Sequence, residues 1–208
     1  FVGDPEGIYH YSFKGHKGKD KDAPGNFIEL STSQLAKANQ ALEGAQDRLN
    51  KFPRKMDKRL LKRNWYQVLN SDGVFAIGEI QKPGKGKKKG KEEVPVGEVK
   101  GGTGWAIAMA KNMKGKEIHV WDTKDKAWFK YDRRSRRWNQ EKTPKLTKDF
   151  AGIGTRGDTQ YGKDGKPIRG KKTFTKDMKN AITELFQNTF GDPMQKTKAE
   201  KAQIKAQK

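Results

Sequence analysis

Two hydrophobic periods alternate along the chain. Leu35, Ala38, Leu42, Ala45 and Leu49 recur every three or four positions, which predicts one amphipathic helix from Ser31 to just before Pro53. Ser31 and Gln34 fit a capping box at its start. A second helix is predicted over about residues 57–70, with Met56, Leu60, Leu61, Trp65 and Val68 turned inward. Residues 73–80 form a short continuous apolar run, as in a strand covered on both faces. Residues 96–100 read as a further short strand. They lead into Gly101-Gly102-Thr103-Gly104 and a helix carrying Ile107, Met109 and Ala110. Glu117–Asp122 follows as a strand. Strand, glycine turn, helix, strand is a βαβ unit, which implies parallel pairing and a right-handed crossover.

Farther on, residues 127–131 and 137–139 predict an antiparallel hairpin turned by Arg133-Arg134-Ser135-Arg136. Residues 150–156 are a short apolar strand running into a glycine turn, and 157–173 read as loop. Thr175 caps a last helix with Met178, Ala181, Ile182, Leu185 and Phe186 on one face, and Gly191 stops it. The expected fold is α/β: a Rossmann-like, mostly parallel sheet with flanking helices and a small antiparallel hairpin. It spans residues 31–191. Residues 1–30 form an irregular segment around the aromatic knot 9–13, a basic loop covers 81–95, and 192–208 are a flexible basic tail.

Composition changes the picture in one direction. The 208 residues carry 46 Lys and Arg against 25 Asp and Glu, a formal net charge of +21. Apolar residues make up 32%, below the usual share, yet aromatics reach 10%, which argues for a packed core rather than a disordered polycation. The charge makes polyanions natural partners, whether nucleic acid, an acidic protein surface or nucleotide phosphates; the other reading is lysine enrichment for solubility. With no cysteine, disulfides, thiolate metal sites and cysteine nucleophiles are excluded. The longest apolar run is six residues, far short of a membrane span, so no membrane partner is expected. No secretory leader is recognisable, and a cytoplasmic protein is expected.

The chemistry centres on the glycine turn. Such a turn between a strand and a helix N-terminus bares backbone N–H groups that suit phosphate or carboxylate, although a tight structural turn has the same sequence. It is neither a P-loop nor a full dinucleotide fingerprint. Arg63-Asn64 on the preceding helix and Gly154-Thr155-Arg156 after a later strand can converge with Gly101, Gly102, Thr103 and Gly104 on one anion. A second set points to single-stranded DNA or RNA. Lys85, Lys87, Lys88 and Lys89 lie in the basic loop, and Arg133, Arg134, Arg136 and Arg137 are interleaved with Trp128, Phe129, Tyr131 and Trp138. A hairpin that packs its aromatics and leaves its arginines in water explains the second cluster equally well. His10, His16 and His119 lack metal-ligand spacing, so no metal site is expected, and no cofactor is required.

Residues 63–77, followed by Lys100-Gly101-Gly102-Thr103-Gly104 and Ile118-His119-Val120-Trp121, resemble the Rossmann-like SLOG superfamily. That superfamily includes the "lonely guy" phosphoribohydrolases and DNA-processing protein A. The resemblance covers about residues 57–122, and more loosely 149–190. Residues 151–156 are similar to the family's first-strand GxGSR element, displaced late in the chain, which implies a rearranged sheet. The resemblance implies a nucleotide-type ligand, with Arg63 handling it and Gly101, Gly102 and Gly104 as the phosphate turn. It also marks a departure. The hydrolases carry PGGxGTxxE, whereas here Lys100 replaces the proline, and Ile107 and Ala108 fall where the glutamates belong. A nucleotide N-glycosidase would then need a displaced carboxylate, for which Asp72, Glu79 and Asp122 are candidates. The overall pattern also looks like that of uncharacterised bacteriophage proteins. This implies a structural, virion-associated role or homo-oligomeric assembly as a further alternative, with a place in the host cytoplasm or the virion.

Overall fold

The computed structural model describes residues 7–14, 25–50, 58–83, 95–154, 158–161 and 167–191. The chain is an α/β protein built on a five-stranded mixed sheet of order β6-β5-β4-β3-β7, flanked by helices. Strands β3 (Gly73–Gly78), β4 (Glu117–Asp122) and β7 (Phe150–Ile153) are parallel, with β3 in the middle. Strands β5 (Ala127–Asp132) and β6 (Arg137–Glu141) add an antiparallel hairpin beside β4. The expected α/β architecture, with its parallel strands and small antiparallel hairpin, is present, and because the hairpin joins the same sheet that sheet is mixed.

Side-chain alternation divides the sheet into two buried faces. Val74, Ala76, Ile118, Val120, Ala151 and Ile153 form one core with Ala106, Ile107 and Ala110 of α4 (Gly101–Asn112). Phe75, Ile77, Trp121 and Trp128 form the other with Met178, Ala181 and Leu185 of α5 (Lys176–Phe190). Each residue of β3 is buried, which explains its unbroken apolar run. His119 sits in the second face, stacked on the Phe75 ring at 4.7 Å, with its ring nitrogens 2.6 Å from Glu141 Oε1 and 3.1 Å from Glu117 Oε2.

Behind α4 lies a second helical layer. Leu42, Ala45 and Leu49 of α2 (Asn39–Leu49) and Leu61 of α3 (Lys58–Leu69) pack with Trp105, Ala108 and Met109. Sandwiched this way, α4 is buried from Thr103 to Lys111 on all sides. The capping box forms as read: Gln34 N–H donates to Ser31 Oγ at 3.2 Å, and Ser31 N–H donates to Gln34 Oε1 at 2.8 Å. The single helix expected after Ser31 is two, because α1 (Thr32–Lys37) ends at Ala38 before α2 begins. Ala38 is fully buried, so the break leaves the apolar stripe intact.

Three segments differ from the sequence-based expectation in their strands. Residues 96–100 make no strand of the βαβ unit; they lie against residues 79–81 through the antiparallel bridge Val99–Ile80 and backbone bonds such as Lys100 N–H to the Glu79 carbonyl at 2.9 Å. The segment expected to be loop contains the antiparallel pair β8 (Asp158–Tyr161) and β9 (Pro167–Thr173). Within the segment expected to be irregular, β1 (Tyr9–Phe13) and β2 (Asn26–Leu30) pair in parallel. No helix among the described residues is long and apolar enough to cross a membrane.

Candidate functional site

The parallel strands end together on one edge of the sheet. From β3 the chain goes to α4 on one face. From β7 it goes through β8 and β9 to α5 on the other. Neighbouring parallel strands whose connections leave to opposite faces define a topological switch point, and ligands of open α/β sheets bind in the crevice at its carboxyl edge. Here that crevice is bordered by Gly78, the 101–104 turn and Gly154. Thr103 Oγ1 approaches the Gly154 carbonyl at 3.4 Å.

The four turn residues divide by role. A Cβ on Gly101 or Gly102 would meet nothing within 4 Å, so both face open space, and Gly101 has φ +72°, which favours glycine. Gly104 is different, since its Cα lies against the Val99 carbonyl and leaves no room for a Cβ. Thr103 is buried. The first turn of α4 carries no acidic residue to occupy its N–H groups.

Two lysines that sequence reasoning missed stand at the lip of the turn. Lys100, the N-cap of α4, and Lys124, beyond β4, both reach Glu79 Oε1, at 2.7 and 2.6 Å. Partial burial of Glu79 raises its carboxyl pKa, but the hydrogen bonds and charges of the two lysines outweigh that, and the net shift is downward. This convergence joins three distant stretches of chain, and no local pattern announces it. Among the carboxylates considered as displaced catalysts, Glu79 alone borders the crevice. Asp72 precedes β3, at the opposite edge. Asp122 is fully buried, and its oxygens accept from the N–H groups of Ile80 at 2.8 Å, Lys124 at 2.8 Å and Asp125 at 2.9 Å. Its role is to hold the ends of β3 and β4 together.

Arg63 lies on α3, whose Leu61 shares a buried cluster with Trp105 of α4. Its Nη2 donates to Asn64 Oδ1 at 3.2 Å, and burial lowers its pKa. Its Nε is buried and makes no hydrogen bond among the described residues. The pair is thus bonded to itself. Thr155, Arg156 and the loop lysines Lys85, Lys87, Lys88 and Lys89 lie outside the described residues.

The arginine turn is at the far end of the molecule. β5 runs antiparallel to β4, so residues 133–136 fall beside the last turn of α4. Arg133 is committed there: its guanidinium donates to the carbonyls of Ala110, Lys111 and Lys116 at 2.9–3.2 Å and closes the helix C-terminus. These four bonds engage the guanidinium of a residue expected to contact nucleic acid. Arg134, Arg136 and Arg137 remain exposed. The interleaved aromatics turn inward: Trp128 is buried, and Phe129, Tyr131 and Trp138 are partly buried against the core. Among the described residues no cluster of His, Asp and Glu is arranged to hold a metal.

The chain entering the turn is tethered by Lys111. Its side chain is 1% exposed, and its ammonium donates to the Gly97 carbonyl at 2.9 Å, pairs with Glu98 at 3.1 Å and lies 4.3 and 5.0 Å from the Tyr131 and Trp138 ring centroids. Desolvation lowers its pKa to about 8, against the attraction of Glu98 and with a smaller push from Arg48. Between about pH 8 and the ordinary lysine value, the unfolded chain binds the proton and the folded protein does not. Stability therefore rises through that window, by at most about 3 kcal/mol, and the full cost is present below it. Wild type compared with Lys111→Met in urea melts from pH 7.5 to 10.5 is expected to gain ground as pH rises. A difference independent of pH would contradict the lowered value.

The fold and crevice together define the class: a mixed-sheet α/β protein with an open glycine turn at its switch point. Beyond that class no relative emerges, because the chain matches no protein-family model, no curated protein and no solved structure.

Proposed function

We propose that the protein binds a nucleotide or nucleotide-derived phosphate ligand at the β3/β7 crevice. One observation carries this reading: Thr103 and Gly154 meet at the switch point while Gly101 and Gly102 beside them are open to solvent. Phosphate oxygens would take the N–H groups of the first turn of α4, with its dipole adding partial positive charge. Lys100 and Lys124 supply full charges at the lip. Arg63 and Arg156 are the guanidinium candidates, and the SLOG resemblance of the sequence is consistent with a nucleotide in the same turn. An N-glycosidase version of this reading rests on Glu79.

Calorimetry with nucleoside mono- and diphosphates and ADP-ribose tests the proposal. Gly102→Leu puts a side chain into the open approach, where its Cβ meets no atom within 4 Å, and losing a glycine narrows the unfolded ensemble. The variant is expected to melt no lower than wild type and to bind at least tenfold more weakly. Unchanged affinity in a folded variant, or no binding to wild type, would refute the site.

The exposed Arg134, Arg136 and Arg137 on a chain of net charge +21 favour a second reading, contact with single-stranded nucleic acid. Salt separates the two. Backbone binding weakens steeply with ionic strength through counterion release, whereas one small ligand in a pocket responds far less.

A further inference from the structure

A separate cleft of about 290 Å³ opens where β1 and β2 end, between α1 and α3. Phe13 and Leu30, paired in register at the ends of the two strands, give it an apolar floor with Leu35 of α1. Lys14, Arg59 and Lys62 supply its charge, and no carboxylate is among its lining residues.

The cationic groups are placed at a cost. Arg59 lies in the first described turn of α3, where the helix dipole disfavours positive charge, and no residue of that turn is acidic. Arg59 and Lys62 are three apart on one helix, a like-charge spacing that destabilises. None of the three enters an ion pair among the described residues. Arg59 is nonetheless held in place: its guanidinium carbon sits 4.8 Å from the Phe13 ring centroid, and Nη1 donates to the Lys14 carbonyl at 3.2 Å. A positioned guanidinium over an aromatic floor, with two ammonium groups beside it, is complementary to an anion joined to an apolar body. The volume lies at the small end of ligand pockets, which limits the body to a short acyl chain or a single ring.

We infer that this cleft is a binding site for a small amphipathic carboxylate, its anionic head on Arg59 and Lys62 and its apolar body on Phe13, Leu30 and Leu35. The site is independent of the glycine turn and stands or falls apart from it.

Calorimetric titration of the full chain with octanoate, octanol and acetate tests the inference. Octanoate is expected to bind with Kd below about 1 mM, octanol at least tenfold more weakly, and acetate not measurably. Arg59→Gln/Lys62→Gln is expected to weaken octanoate at least tenfold, and so is Leu35→Glu, which sets a carboxylate in the cleft. Gly102→Leu is expected to leave octanoate unchanged, so that loss of the nucleotide reading leaves this result intact. Octanol binding as tightly as octanoate, a folded double variant within twofold of wild type, or no saturation by octanoate would each overturn the assignment.

Discussion

Replacing Asp122 with alanine is expected to cost about 4 kcal/mol, enough to leave much of the protein unfolded at 37 °C, given total stabilities of roughly 5–15 kcal/mol for domains. The side chain is 0% exposed and satisfies three backbone donors: the N–H of Ile80, where the chain leaves β3, and those of Lys124 and Asp125, in the turn after β4. Alanine leaves the Ile80 donor in particular with no water to replace the lost oxygen, and each orphaned buried donor costs about 1–3 kcal/mol. Asp122→Asn discriminates the mechanism. Its carbonyl oxygen can still serve Lys124 and Asp125, but its amide nitrogen would face the Ile80 N–H, donor to donor. The asparagine variant is expected to fall between wild type and alanine in urea denaturation. Equal stability of all three proteins would show that the bonds carry no net weight.

The same residue shows how much of the site was legible in the sequence. An aspartate at a strand end, followed by Thr-Lys-Asp, signals a side chain bonding its own turn. The third bond, across to Ile80, spans 42 positions and has no local signature. The rest follows this division. Strand β3 was readable because burial on both faces forces a continuous apolar run, and α5 because one face alternates and Thr175 caps it, its Oγ1 accepting from Met178 N–H at 3.2 Å. The glycine turn was readable as a junction between strand and helix. That its first two glycines are open while Gly104 is packed depends on where the Val99 carbonyl lies, which the motif does not encode. The β1–β2 pairing joins strands in parallel across a long connection, so no hairpin pattern marks it. The role of Arg133 at a helix end has no local signature, because α4 ends at Asn112, 21 residues earlier in sequence.

Gly104→Ala is the sharpest test of that division within the turn. An ideal Cβ at this position would sit 1.8 Å from the Val99 carbonyl oxygen and 2.7 Å from its carbon, both backbone atoms. No rotamer change relieves such an overlap, because one methyl group has no rotamers. Either α4 moves off the segment that enters it or the segment moves off α4. Neither has slack: α4 is buried on all sides from Thr103 to Lys111, and Val99 is fully buried, bridged to Ile80 and flanked by the Lys100 N–H bond to the Glu79 carbonyl at 2.9 Å. Overpacking typically costs 1–3 kcal/mol where side chains can shift, and a backbone collision at a helix start is expected to exceed that, at about 4 kcal/mol or more. The same exchange at Gly102 meets no atom within 4 Å and is expected to stabilise by about 0.5–1 kcal/mol through helix propensity. Thermal melts of the two alanine variants should therefore move in opposite directions. Parallel shifts would mean that the turn is seated differently from the geometry described, and the open approach to its first amides would lose its basis.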